Sequence, residues 1–445
     1  MSDPGRAKRI AWALTVGVVL ADSSIVTLAL PEILAEFDST VLGVSWVLTA
    51  FNIVLALALL PAAAYARRRP VGLWKCGVVV FALASAACAL APSTEALIAA
   101  RCLQAAGGAV AIAGAIELLS RAAGSHRDAA PIWGTAGLAG LALGPAAGGI
   151  LTELLSWESI FFVQIPLIAL LPRARAVPGP AEPGAGGRIA LQPELALAVL
   201  SAGLTGALFL LVVMLTEGWR YSPLEAAALV TAMPLATLIA GRLAAGLEPG
   251  RANIAAGAVA IAAGLVALGL LPGADWWWVI LPQLLVGAGI ALALPGLTTR
   301  ALGGRDPAGR RASGTIAARH LGVVVGIVVL TPIFDAQLDF EYDAVRRSGT
   351  ALLLDAPLAP QTKIGLGEAI AEDVSAADGE LPSLDPAFAS VEPDPEQTAA
   401  YSELEDDLEA EIDAAATHAF SPAFLAAGAL ALVALIPIAT MRRER

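Results

Sequence analysis

The chain has 445 residues, of which 57% are hydrophobic and 15% are charged, whereas a soluble domain carries about 25% charged residues. Its mean hydropathy of +0.74 excludes an ordinary soluble globular protein and predicts helices that lie in lipid. The three cysteines lack metal-ligand spacing and the three histidines lie far apart along the chain. We therefore expect no disulfide framework, no metal site, no cofactor and no enzymatic function.

The net charge of −12 is distributed unevenly. The stretch from Asp335 to Asp413 contains 21 acidic and three basic residues, while the rest of the chain contains 18 acidic and 24 basic residues. This pattern predicts a slightly basic membrane body that carries one acidic insert. Basic tracts interleaved with aromatic residues are missing from the sequence, so nucleic acid is not an expected partner.

Twelve apolar segments approach the length of about 20 residues that a membrane-spanning helix needs. In chain order they are Ile10–Leu30, Val44–Ala64, Leu73–Leu90, Ala96–Leu118, Ile132–Leu151, Ile160–Leu171, Leu195–Thr216, Leu224–Leu247, Asn253–Leu271, Trp277–Leu297, Ser313–Phe334 and Pro422–Thr440. The first is too long for a signal peptide and contains an acid, so we expect a membrane anchor. The sixth is short.

The basic residues predict the orientation. Of the 27 Lys and Arg residues, 21 lie in termini and loops that fall on one side of the twelve segments. Because short cytoplasmic loops are enriched in Lys and Arg, we expect both termini in the cytoplasm and the chain in the cell membrane, in contact with the lipid bilayer. The acidic insert then faces outward.

The stretch after the sixth segment is rich in Pro and Gly and is typical of a linker. The predicted domains are an N-terminal six-helix bundle (1–172), a cytoplasmic linker (173–193), a C-terminal six-helix bundle (194–334 and 421–445) and the acidic insert (335–420). Within the insert, 402–420 has a helical composition and predicts an outward extension of the twelfth helix. The apolar content of 351–374 favours a helical cap, although an inert solvated loop is an equal alternative. A cap could shield the outer mouth, concentrate cations or bind an envelope partner.

Four stretches carry recognisable motifs. They read ADSSIVTLALPEI (21–33), RCLQAAGG (101–108), GLALGPAAGGIL (140–151) and WESIFFVQIP (157–166). On these residues the chain resembles the major facilitator superfamily and, within it, the proton-coupled drug:H⁺ antiporters of the DHA2-like group. The resemblance implies an all-α polytopic membrane protein with two six-helix bundles around a central cavity.

The sequence departs from the family pattern in two loops. The loop 62–72 has Ala66 near the position of an acid in the family motif, and the matching loop 241–251 has Ala245 there. The gating balance is therefore expected to differ, or Glu248 substitutes in the second half. The group also has fourteen helices as a rule, against the twelve predicted here.

Asp22 and Arg101 are the candidate proton-coupling residues. Asp22 lies twelve residues into the first predicted helix, about 18 Å from its cytoplasmic end, and an acid at that depth is costly and points to function. Arg101 lies at a similar depth in the fourth helix, so the two could form an ion pair. Purely structural roles, as a packing acid and as an interhelical or snorkelling arginine, remain open. Gln104 shares the face of Arg101.

The remaining candidates are uncharged or weakly basic. As residues of a substrate cavity or relay we consider Gln104, Asn52, Gln164, Gln283 and His320. Asn52, Gln164 and Gln283 could each instead bond a neighbouring helix, and His320 is considered as a second titrating group. In the fifth helix a close-packed seam is expected at Gly140, Gly144, Pro145, Gly148 and Gly149. Glu117 is expected at a solvated helix end.

The predicted function is proton-coupled export of small amphipathic or lipophilic compounds by alternating access. Two alternatives remain: another transporter of the same fold, such as an importer or a lipid exporter, and a non-transporting receptor or scaffold that acts through the insert.

Overall fold

The structure is a computed structural model that describes residues 4–173, 191–246, 250–302, 309–376, 384–391, 393 and 395–441. All regular secondary structure in these ranges is helical, as predicted. The predicted linker 173–193 falls almost entirely on residues outside them, as does Glu248.

The first part of the chain forms seven α-helices and a 3₁₀ segment. They are α1 (Pro4–Thr27), α2 (Leu30–Glu36), α3 (Val41–Ala66), α4 (Pro70–Ala89), α5 (Thr94–Ala123), α6 (His126–Leu154), α7 (Ser159–Phe162) and the 3₁₀ segment Ile165–Arg173. These helices contact one another, chiefly through the pairs α4–α5, α3–α5 and α1–α6.

The second part forms ten more α-helices. They are α8 (Leu191–Val213), α9 (Pro223–Val230), α10 (Ala232–Leu243), α11 (Arg251–Leu268), α12 (Trp276–Leu302), α13 (Gly309–Asp355), α14 (Pro360–Ala376), α15 (Asp385–Ser390), α16 (Thr398–Val433) and α17 (Leu435–Thr440). Between the two parts, α3 lies along α13 and α6 lies against α9.

Ten helices in the described residues are long and apolar enough to cross a membrane. The fifth predicted span lies within α6, whose 29 residues are also long enough to cross. The sixth lies in the shorter apolar segment Ser159–Leu171. Its short helix α7 gives way to 3₁₀ turns that contain Pro166 and Pro172, since proline cannot donate the backbone hydrogen bond of an α-helix interior.

Several predicted boundaries were wrong, and proline explains most of the breaks. The helix of the first predicted span stops at Thr27, and Pro31 lies in the first turn of the separate helix α2. The eighth predicted span is divided into two helices at Thr231, three residues before Pro234. The twelfth predicted span is divided at Ala434, three residues before Pro437. The proline ring clashes with the preceding turn, which favours a break at these three positions.

The eleventh span was predicted to end at Phe334, but α13 continues without a break to Asp355. It is accompanied by α16, and the two contact each other. Between them α14 and α15 cover a small hydrophobic core that includes Leu366, Phe388 and Tyr401. We call the end of the helix bundle from which this insert projects the insert side, and the opposite end the basic side.

Candidate functional site

A fully buried ion pair joins α1 to α5. The carboxylate of Asp22 accepts a hydrogen bond from Nη1 of Arg101, and both side chains are 0% exposed. The residue count from the helix ends had predicted a similar depth for the two groups, and the structure brings them together. A buried carboxylate and a buried guanidinium each carry a desolvation cost of several kcal/mol, which the pairing offsets.

Arg101 is also fastened to α3. Its Nε donates to the carbonyl oxygen of Val47 at 3.3 Å, and its guanidinium lies 4.0 Å from the ring centre of Phe51, in cation–π geometry. Nη1 also donates to Oε1 of Gln104 at 2.5 Å. The position of Arg101 is therefore tied to the position of α3.

Two glutamines complete the surroundings of the carboxylate. Gln164 donates from Nε2 to Oδ1 of Asp22 at 2.8 Å, and Gln104 donates to Oε1 of Gln164 at 3.1 Å and to Oγ of Ser85 at 2.9 Å. The helical break after α7 places Gln164 at this point. Sequence reasoning missed Ser85 and Cys88. The thiol of Cys88 lies 3.7 Å from Oε1 of Gln104. The signal in the sequence was the pair of polar side chains three residues apart in an apolar helix.

Asn52 and His320 form a second polar contact, between α3 and α13. Nδ2 of Asn52 donates to the carbonyl of Leu48 at 2.8 Å, so its Oδ1 is left to face Nδ1 of His320 at 2.5 Å. Because Oδ1 only accepts hydrogen bonds, Nδ1 of His320 carries the proton. Asn52 directly follows Phe51, the residue beneath Arg101, so one turn of α3 touches both polar contacts.

Gln283 lies apart from these clusters. It is 1% exposed on α12, among apolar residues of α8, α10 and α11. The structure therefore does not bring Gln283 together with Asp22 and Arg101.

The glycines of α6 lie against two different helices, α1 and α9. A Cβ atom at Gly140 or Gly148 would come within 2.5 Å of a backbone oxygen of α1, and one at Gly144 would meet Oγ of Ser24 at 2.0 Å. A Cβ atom at Gly149 would meet Cβ of Ala227 on α9 at 2.3 Å. The glycines thus allow α6 to approach α1 closely on one face and α9 on another. Pro145 is buried within the same helix.

Glu117 was predicted at a solvated helix end, and that prediction was wrong. Glu117 is 5% exposed and pairs with Arg121 at 3.0 Å, one turn further along α5. Arg121 in turn donates to the carbonyl of Arg67 at 2.8 Å. Arg121 thereby ties α5 to the C-terminal end of α3, at the residue that follows Ala66.

Several acidic side chains lie near one another on the insert side. The indole Nε1 of Trp157 donates to Glu36 at 2.5 Å, which ties the segment after α6 to α2. Glu32 lies one turn before Glu36, and partial burial is the main cause of a raised pKa for its carboxyl, with Glu153 and Glu158 nearby adding to the effect. Within the described residues no group of His, Cys, Asp and Glu side chains has the arrangement to hold a metal ion.

The family pattern of the Major Facilitator Superfamily matches residues 12–331, more than half of the chain. The chain belongs to the Major Facilitator Superfamily. The resemblance read from the four motifs is thereby confirmed.

Curated relatives match over part of the chain. The methylenomycin A resistance protein of Streptomyces coelicolor is 35% identical over 166 residues, 36% of this chain and 34% of the relative. The multidrug efflux pump LfrA of Mycolicibacterium smegmatis is 33% identical over 183 residues, 39% of this chain and 36% of that pump. The matched region therefore spans about a third of the length of these relatives.

The superfamily fold is also found among solved structures. The crystal structure of a bacterial homologue of the human lysosomal transporter Spinster, inward-facing and unoccupied, aligns with a TM-score of 0.65 and 17% identity over 100% of this chain and 99% of that one. The human organic anion transporter MFSD10 aligns with a TM-score of 0.55 and 17% identity over 75% of this chain and 94% of its own. At this identity the likeness concerns the fold, and the predicted all-α major facilitator fold is confirmed.

Proposed function

We propose that this multi-pass membrane transporter is a proton-coupled antiporter that exports small amphipathic or lipophilic compounds by alternating access. Its membership of a transporter family and its relatives named for drug resistance and efflux support export. The observation that carries proton coupling is the buried Asp22–Arg101 ion pair. We assign the chain no catalytic chemistry.

The proposed coupling follows from the energetics of buried charge. Protonation of Asp22 removes the negative charge that compensates Arg101, and an uncompensated buried guanidinium is strongly unfavourable. A movement of Arg101 toward water or another acceptor then lowers the free energy of the protein. Because Arg101 is bonded to Val47 and stacked on Phe51 of α3, its movement changes the forces on the helix that contacts α13. Protonation thereby favours one arrangement of the two halves over the other.

The orientation is part of the proposal. We infer that the basic side faces the cytoplasm, together with both termini, and that the insert side faces outward. The distribution of Lys and Arg over the loops supports this assignment. Protons would then reach Asp22 from the insert side and leave on the basic side, in exchange for the exported compound.

The test is energised export from a pump-deficient bacterial host loaded with the neutral dye Nile red. The wild-type protein is expected to lower cell fluorescence until a protonophore is added, and Asp22→Asn is expected to abolish this loss. Asp38→Asn is the matched control, because Asp38 is exposed and its φ of 47° suits Asn. We expect it to behave as the wild type.

Two outcomes count against the proposal. Unchanged export by Asp22→Asn would exclude coupling at this carboxylate. Failure of the wild type to export any of a broad panel of compounds would exclude the exporter and favour an importer, a lipid exporter or a receptor that acts through the insert.

A further inference from the structure

The amide of Gln283 is buried without a hydrogen bond. Gln283 lies seven residues into α12, about 10 Å from the start of that helix, and 1% of its surface is exposed. Neither Nε2 nor Oε1 has a hydrogen-bond partner among the described residues. Buried side-chain amides are nearly always satisfied, and each exception calls for an explanation.

The space beside this amide is apolar on every other side. One stripe of α8 contributes Leu204, Ala207, Leu208 and Leu211, which share a helix face by their spacing. The cavity has a volume of about 10 Å³, enough for one water-sized group. It therefore accommodates a single polar group against Gln283.

The residues that line the cavity differ in their exposure. Leu265, Leu268 and Val286 line it and are buried, whereas Leu208 and Met233 line it and are partly exposed. We infer that an apolar chain attached to the polar group leaves the cavity past its partly exposed lining residues Leu204, Leu208 and Met233. Methionine is unbranched and flexible, so Met233 can adapt to apolar groups of different shapes.

The backbone around Gln283 is held in place. A Cβ atom at Gly264 of α11 would lie 2.6 Å from the carbonyl oxygen of Pro282, and one at Gly287 would lie 2.3 Å from that of Met233 on α10. Helix α12 is thus in close contact with α11 and α10 within about one turn of Gln283. A small shift of α12 therefore cannot move the amide of Gln283 out of its apolar surroundings.

We propose that Gln283 is the polar anchor of a binding site for uncharged compounds that carry one amide, hydroxyl or carbonyl group on an apolar body. This rests on the proposed export function and names the substrate class. The amide offers one donor side and one acceptor side, which such a group matches. A charged group would lose its hydration without meeting a counter-charge in this lining, so ions are excluded.

The test uses purified full-length protein in proteoliposomes and decanamide that carries a photoreactive diazirine on its chain. The charged comparison probe is decyltrimethylammonium with the same diazirine. Labelled peptides from α8, α10 and α12 are quantified by mass spectrometry, with unlabelled decanamide as competitor. The variant is Gln283→Leu, and the matched control is Gln337→Leu, because Gln337 lies in the insert and bonds Glu341.

We expect Gln283→Leu to reduce competed decanamide labelling about tenfold, because the variant removes one well-formed hydrogen bond to the probe. Gln337→Leu should label as the wild type, and the ammonium probe should show no competed labelling in any variant. The melting temperature of Gln283→Leu should be unchanged or higher, because the variant removes an unsatisfied buried amide. Equal decanamide labelling of wild type and Gln283→Leu, or a lower melting temperature without loss of labelling, would overturn the proposal.

The labelling requires no proton gradient, so its result is separate from that of the export assay. Normal export by Asp22→Asn would contradict the coupling proposal and leave the Gln283 site untouched. Failure of the labelling alone would contradict the Gln283 site and leave the coupling proposal untouched.

Discussion

The Asp22–Arg101 pair fixes how single substitutions will act. Arg101→Ala leaves a buried carboxylate without its partner, and we expect a loss of about 3–5 kcal/mol in the free energy of unfolding. The double variant Asp22→Asn, Arg101→Gln contains no unpaired charge, so it should regain most of this stability and remain inactive in export. Denaturant unfolding of the purified variants measures the first effect and dye export the second. If the double variant is as unstable as Arg101→Ala, charge compensation is not the main role of the pair.

The sequence could predict part of this site. Counting residues from the helix ends placed Asp22 and Arg101 at similar depths, and the i, i+3 spacing placed Gln104 beside Arg101. The hydrogen bond from Gln164 to Asp22 could not be predicted, because it depends on the break after α7. The contact between Asn52 and His320 could not be predicted either, since it joins residues 268 positions apart on helices whose mutual arrangement no local pattern determines.

At the scale of elements, the glycines of α6 allow a test within one helix. Gly148→Ala places a methyl group 2.5 Å from the carbonyl oxygen of Ile25 on α1, and overpacking of this kind costs about 1–3 kcal/mol. A Cβ at Gly134 meets nothing within 4 Å, so Gly134→Ala should be neutral or stabilise the helix by up to about 1 kcal/mol. Thermal unfolding of the two variants measures the difference, and equal melting temperatures would contradict close α1–α6 packing.

The Asn52–His320 hydrogen bond should hold α3 against α13. His320→Leu removes the donor and leaves Oδ1 of Asn52 unsatisfied, so we expect the arrangement in which α3 and α13 are in contact to become less populated. Spin labels at the exposed positions Arg68 and Arg310, in a background without native cysteines, report the separation of the helix ends by pulsed electron resonance.

The exposed His418 supplies the control for that measurement. His418→Leu should leave the distance distribution of the wild type unchanged, whereas His320→Leu should broaden it toward longer distances. The same distribution in all three proteins would show that the bond does not bias the arrangement.

Hydropathy predicted which segments are helical more reliably than where they end. The apolar signal of the eleventh span fades after Phe334, yet α13 runs on to Asp355, where α16 accompanies it beyond the predicted span. Prolines had the opposite effect, since Pro31, Pro234 and Pro437 interrupt or end helices inside stretches that remain apolar. Helix ends thus depend on backbone chemistry and packing partners that mean hydropathy does not measure.

At the scale of the whole molecule, the insert has a hydrophobic core of its own. Leu366 is 0% exposed there, Phe388 and Tyr401 meet edge-to-face at 5.0 Å, and the hydroxyl of Tyr401 lies 2.8 Å from the carbonyl oxygen of Phe388. The apolar residues of 351–374 had favoured such a cap, but the sequence left a solvated loop equally open because each segment alone is too short to bury a core.

The separate core predicts that the insert can be loosened without stopping export. Leu366→Ala should destabilise the insert by about 2–5 kcal/mol, whereas Leu354→Ala, at a position 66% exposed, should change its stability by less than about 0.5 kcal/mol. Hydrogen exchange of the amides in α14 and α16 measures local opening and should accelerate only in Leu366→Ala, while dye export stays at the wild-type rate. Loss of export in Leu366→Ala but not in Leu354→Ala would instead make the folded insert part of the transport cycle, because the bundle helices α13 and α16 run directly into it.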